Sequence, residues 1–139
     1  MKTLKSILMG LALIISFTAA KADGQPSKTE VIDIFMNASA HGKMEKFESI
    51  LANNVEYTTQ RGERTIKANK NEILAFYKAS ENVDQACKCS STTLKENEKN
   101  MVVKVEMQYE KYTRTNLVTM KNIDGNWKIT RVETSVANS

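Results

Sequence analysis

The apolar positions of this chain recur at helical spacing in its first half and alternate in its second. Val31, Ile34, Phe35 and Ala38 follow the helical period, with Ile32 beside them. Ser27-Lys28-Thr29-Glu30, directly after Pro26, has the order of a capping box, and Gly42 is the residue type that ends helices. A first helix is expected between them, with Asp33 and Asn37 on its solvated side. Met44, Phe47, Ile50 and Leu51 predict a second, shorter helix, ended by Asn53-Asn54. Val55, Tyr57 and Thr59 then alternate with Glu56 and Thr58, the period of a strand. Gly62 lies in a turn over 60–63, and 64–67 forms a short return strand. Asn69 and Glu72 repeat the capping order ahead of Ile73, Phe76, Tyr77 and Ser80, one face of a third helix, with Leu74 at its edge.

From Ala86 onward every segment has strand character. Residues 87–94 are rich in Ser and Thr, and 96–100 is a polar turn. Met101, Val103, Val105, Met107 and Tyr109 alternate with polar or exposed partners, which implies a sheet with one buried face. Two more strands follow, over about 115–123 and 126–134. Helices grouped early and antiparallel strands grouped late predict an α+β domain, with three helices packed on one face of a curved sheet.

Asp124-Gly125 between two alternating runs is the signal of a two-residue hairpin. Its register pairs Asn122 with Trp127, Lys121 with Lys128, Met120 with Ile129, Val118 with Arg131 and Asn116 with Glu133. Paired residues share a face. Two opposed lysines belong in water, so the face of Trp127, Ile129, Met120 and Val118 is expected inside. In this register the same face continues with Arg131, Glu133 and Asn116, either as an inward polar layer or as solvated strand ends. A bulge would shift the register and move these residues.

Charge changes the picture little once the first residues are set apart. Lys2 and Lys5 precede an apolar run from Ile7 to Phe17, and Ala20 and Ala22 form an A-x-A site. That order is expected of a signal peptide over 1–22, and export would follow. The run has eleven residues, against roughly 20 for a spanning helix, so no stable membrane anchor is expected after cleavage. The full chain carries a net charge of +4. Lys2, Lys5 and Lys21 leave with the leader, so residues 23–139 hold seventeen bases against sixteen acids, a net of +1. No basic patch remains, which argues against nucleic-acid binding. The remaining stretch suits one domain.

Three segments carry a resemblance. "HGKMEKFESILANNVEY" (41–57), "ANKNEILAFY" (68–77) and "DGNWKI" (124–129) resemble the helix break with first strand, the capped third helix and the final hairpin of the SnoaL-like branch of the nuclear-transport-factor-2-like superfamily. The resemblance spans roughly residues 27–135. It implies a cone-shaped α+β barrel, a homodimer through the outer sheet face, and an internal pocket for a small apolar molecule. Some similar proteins are isomerases, hydratases or hydrolases with an inward acid or histidine.

The candidate chemistry departs from those enzymes. Asp33 and Glu45 are expected outward, Asp84 in a loop and Asp124 in the turn. Only Glu133 is placed inside by the hairpin register, so it is the one candidate catalytic base. Tyr57, Tyr77, Tyr109 and Trp127 are candidates to line a pocket, with Arg131 and Glu133 at its mouth. His41, the single histidine, lies where it can cap the first helix. Cys87 and Cys89 would point to one side of a strand. They could form a strained disulfide, bind a soft metal, or simply be two small residues. One histidine and two cysteines without an acid cluster make no zinc pattern, and no cofactor is expected. The expected function is binding of a small apolar or amphipathic ligand without catalysis. The alternatives are an enzyme using Glu133 and a dimerising interaction module.

Overall fold

The computed structural model describes residues 25–138, so the expected leader over 1–22 lies outside the described residues. Helix α1 runs Lys28–His41. The Ser27 hydroxyl caps it by accepting from the Glu30 N–H at 3.2 Å. Gly42 ends it in the left-handed region at φ 65°, and its N–H reaches the Ala38 carbonyl. Val31, Phe35 and Ala38 are buried as the pattern predicts, while Ile34 is only partly buried and the flanking Ile32 is buried in its place.

The predicted second helix does not form. Residues 44–50 make turns and a single 3₁₀ turn over Glu48–Ile50. Lys46 adopts φ 64°, which a continuous helix cannot accommodate. Leu51 is already extended, the first residue of strand β1 (Leu51–Arg61). Phe47 and Ile50 are nonetheless fully buried, so the apolar spacing marks real core positions on a different backbone.

Strand β2 (Arg64–Ala68) pairs back on β1, and helix α2 (Lys70–Ala79) follows. Asn69 and Glu72 form the complete reciprocal capping box expected there. Strands β3 (Lys88–Glu96), β4 (Asn100–Gln108), β5 (Tyr112–Ile123) and β6 (Asn126–Asn138) form the antiparallel meander. The six strands lie in the order β2-β1-β6-β5-β4-β3.

Two expectations about the sheet need correction. It is mixed, because β1 and β6 run parallel, with Tyr57 opposite Val132. A parallel neighbour requires a long crossover, and α2 with the meander supplies it. The sheet also curves without closing, since β2 and β3 remain as its edges. Among the described residues two α-helices, not three, cover its inner face. The core between them includes Phe35, Phe47, Val103, Val105, Val118, Met120, Ile129 and Val132.

Candidate functional site

The β5–β6 hairpin decides which residues can face inward. From Ile123↔Asn126 to Met120↔Ile129 the register is the expected one. It then shifts by one residue, so that Thr119 faces Arg131, Val118 faces Val132 and Asn116 faces Thr134. Thr130 is the extra residue of a bulge, and everything beyond it changes sides. Val132 is therefore fully buried. Arg131 and Glu133 lie on the outer face, paired with each other at 3.5 Å and about half exposed. The expectation of an inward Glu133, and with it the candidate base, is corrected by this shift.

Trp127 stays on the inner side but at the hairpin end, partly buried against the core with the Lys28 ammonium 5.5 Å from its ring centre. Val132, the strand partner of Tyr57, lies five residues further along, roughly 15 Å of extended chain. Trp127 does not join the tyrosines.

Tyr57 and Tyr77 do meet, at the opposite end of the inner face. β1 presents Tyr57 and α2 presents Tyr77, and their hydroxyls lie 3.3 Å apart. The Ser39 hydroxyl of α1 continues the chain at 3.1 Å from that of Tyr77. Phe47 stacks on the Tyr77 ring with centres 4.3 Å apart. Burial, and then the neighbouring Tyr77, push the Tyr57 phenol well above its usual value. Burial raises Tyr77 as well, against the lowering effect of its bonds to Ser39 and Tyr57 and of the Arg114 charge. Both phenols are therefore neutral hydrogen-bonding groups at ordinary pH.

Strand β5 adds Asn116, which the hairpin register expected on this face, and Arg114 and Tyr112, which the sequence pattern did not single out. Asn116 is buried, accepts from the Thr134 hydroxyl at 2.7 Å and donates to the Met107 sulfur at 3.8 Å. Two residues earlier on the same face is Arg114, whose Nε is enclosed without a hydrogen-bond partner. Leaving such a donor unpaired costs about 1–3 kcal/mol. Tyr112 continues that face and stacks on Tyr109 with centres 4.5 Å apart. The Tyr109 hydroxyl donates to Gln85 at 3.1 Å. Burial, the largest cause, carries the Tyr109 phenol up to about 12.

Cys87 and Cys89 are free thiols at the edge of this cluster. Burial raises both, Cys89 to about 11. They are protonated near neutral pH and weak as nucleophiles. Nearby, His41 pairs with Asp84 at 2.6 Å on the protein surface. That bond ties the end of α1 to the loop after α2.

No strand position at this end of the inner face carries a carboxylate or an imidazole. The available groups are phenols, an amide, hydroxyls and one guanidinium. They can hold and orient a ligand, but none is a base poised for proton abstraction near neutral pH. Among the described residues there is no group of three or more His, Cys, Asp or Glu that could hold a metal ion. A surface cleft of about 840 Å³ lies elsewhere, beside the hairpin and lined by Lys46, Leu51, Lys70, Ile123 and Lys128.

Residues 27–132 match the model of the family described as "Putative lumazine-binding". The chain belongs to this family. No curated protein is similar to the chain at a significant level. This lumazine-binding-family domain resembles an NTF2-like protein of unknown function from Silicibacter pomeroyi, at 11% identity and TM-score 0.63, over 80% of this chain and 92% of that one. It resembles an NTF2-like protein of unknown function from Methylobacillus flagellatus at 18% identity and TM-score 0.59, over 78% and 88% of the two chains. A "putative ketosteroid isomerase" from Parabacteroides distasonis is similar at 14% identity and TM-score 0.56, over 81% and 94%. At such identities the likeness establishes the fold, which is that of the NTF2-like superfamily to which the SnoaL-like proteins belong.

Proposed function

We propose that this domain binds a small amphipathic ligand without transforming it, at the end of the inner face where Tyr57, Tyr77, Asn116 and Arg114 gather. The observation that carries the reading is the composition of that cluster. Hydroxyls, an amide and a guanidinium adjoin an apolar core, and no carboxylate or imidazole stands among them. Ligand sites combine apolar walls with a few placed polar groups in this way. The family description supports it, because lumazine is a planar heterocycle with hydrogen-bonding edges. The enzymatic alternative loses its base, because Glu133 faces outward. Export is part of the proposal and is supported by the leader pattern over 1–22.

Native mass spectrometry of the chain purified from an exporting host tests the reading. The expected result is an added small-molecule mass that disappears on denaturation. The mass should be absent or much reduced in the double variant Tyr57→Phe/Tyr77→Phe. A clean apo mass that also fails to take up lumazine or related heterocycles would refute it. The same spectrum gives the mass of the denatured chain, two hydrogens lower if Cys87 and Cys89 have bridged.

A further inference from the structure

Arg114 stands apart from the other charged residues of the molecule. Its Nε is enclosed and makes no hydrogen bond. It takes part in none of the ion pairs among the described residues. The titratable groups that feel its charge are Tyr77, Cys87 and Tyr109, all of them neutral near neutral pH. Asp84, the carboxylate that acts on Cys87, is already bonded to His41 at 2.6 Å. Asn116 is committed to Thr134 and Met107. A guanidinium partly withdrawn from water, with one N–H of its fork unfilled, is short of an anion.

The chemistry of the fork selects the anion. A planar guanidinium binds a carboxylate through two parallel N–H···O bonds, and the side-on form of that pair uses Nε. Beside it lies the Tyr109–Tyr112 pair, whose rings cover each other's inner faces, so that a further aromatic ring would extend the stack from an outer face. We infer that Arg114 is the anchor for the carboxylate of a planar organic acid whose ring extends the Tyr109–Tyr112 stack. This rests on the ligand-binding reading above and names the class of ligand. It also accounts for the unfilled Nε, which the bound acid would satisfy.

The test compares two probes of one shape, 2-naphthoate and the uncharged 2-naphthamide, by calorimetry and by the Arg114 side-chain N–H resonance in a nitrogen–proton correlation spectrum. Arg114→Lys identifies that resonance by its absence. Naphthoate should bind at least roughly tenfold tighter than naphthamide and move the Nε–H resonance downfield. In Arg114→Gln, the naphthoate affinity should fall by a similar factor and the naphthamide affinity should stay within about twofold. Equal binding of the two probes, or a naphthoate complex that leaves the Arg114 resonance unmoved, overturns the carboxylate anchor but leaves ligand binding standing. The resonance is read on the unaltered chain, so the outcome does not depend on the variants folding. If neither probe binds, this inference fails, and the native-mass experiment still decides the broader reading.

Discussion

Tyr109 shows how a single side chain at this site sets a measurable property. Burial holds its phenol in the neutral form and raises it from 10.0 to about 12. The folded state therefore keeps the proton more tightly than the unfolded chain does. That contribution is fully present below pH 10 and is lost as pH rises through about 12. Cys89 adds the same sign over a lower window, from 9.0 to about 11. Denaturant unfolding followed across these windows should show stability falling with rising pH, and Tyr109→Phe should lessen the fall above pH 10, to which the raised Tyr57 and Tyr77 also contribute. A stability that is level up to pH 12 would contradict the burial described here. At this scale the sequence is partly legible. Tyr57 and Tyr77 stand at inward positions of a strand and a helix, and they meet. Arg114 escapes a pattern that starts the fifth strand at about Thr115, whereas the strand begins at Tyr112. Counting back by twos from Met120 and Val118 through Asn116 reaches Arg114, so the signal is present. Glu133 and Arg131 are misplaced for another reason. A bulge at Thr130 has no signature in the side chain, since threonine suits a regular strand as well as a bulged one.

At the scale of elements, the capped helices are the most legible, because a cap needs particular residues at fixed offsets. The segment from Met44 to Leu51 is not. Its apolar spacing suits a helix, but Lys46 turns left-handed and the strand begins at Leu51. Gly42 carries more weight than its capping role suggests. A β-carbon there would lie 2.5 Å from the Ser80 carbonyl oxygen and 2.6 Å from the Asn82 nitrogen, and the backbone has φ 65°. The Asn82 N–H donates to the Gly42 carbonyl, so this is where the loop after α2 locks onto the end of α1. Gly42→Ala should cost at least about 3 kcal/mol, because backbone strain and overpacking add. Gly62→Ala and Gly125→Ala also sit at positive φ but meet nothing within 4 Å. They should cost only about 1 kcal/mol each, from the backbone alone. Urea denaturation of the three variants checks the ranking, and equal losses would show that the Gly42 contact is not tight.

At the scale of the molecule, the helix-then-strand order is enough to foresee an α+β domain with six strands. The parallel pairing of β1 with β6 is not foreseeable, because local patterns do not say which distant strand will lie alongside. The outer face of the sheet carries Lys104 with Glu106 and Arg131 with Glu133 as intrastrand ion pairs. The expected homodimer would use this face. Analytical ultracentrifugation should give a dimer mass for the unaltered chain and a monomer mass for Lys104→Glu/Arg131→Glu, whose like charges would oppose each other across the interface. A monomer at high concentration without any substitution would overturn the expected dimer.

The place of β6 in the sheet has a consequence for the order of events during synthesis. Without β6, β1 with β2 forms one hairpin and β3 to β5 form another piece, and no strand joins them. A nascent chain that stops short of Asn126 therefore has two half-sheets that no strand joins. Ile129 and Val132, fully buried in the finished protein, arrive only with that strand. Folding should then be slow to start and abrupt to finish, with the long-range pairing of β6 to β1 as its gate. Until that strand emerges, the chain stays pliable enough to be threaded through a narrow channel.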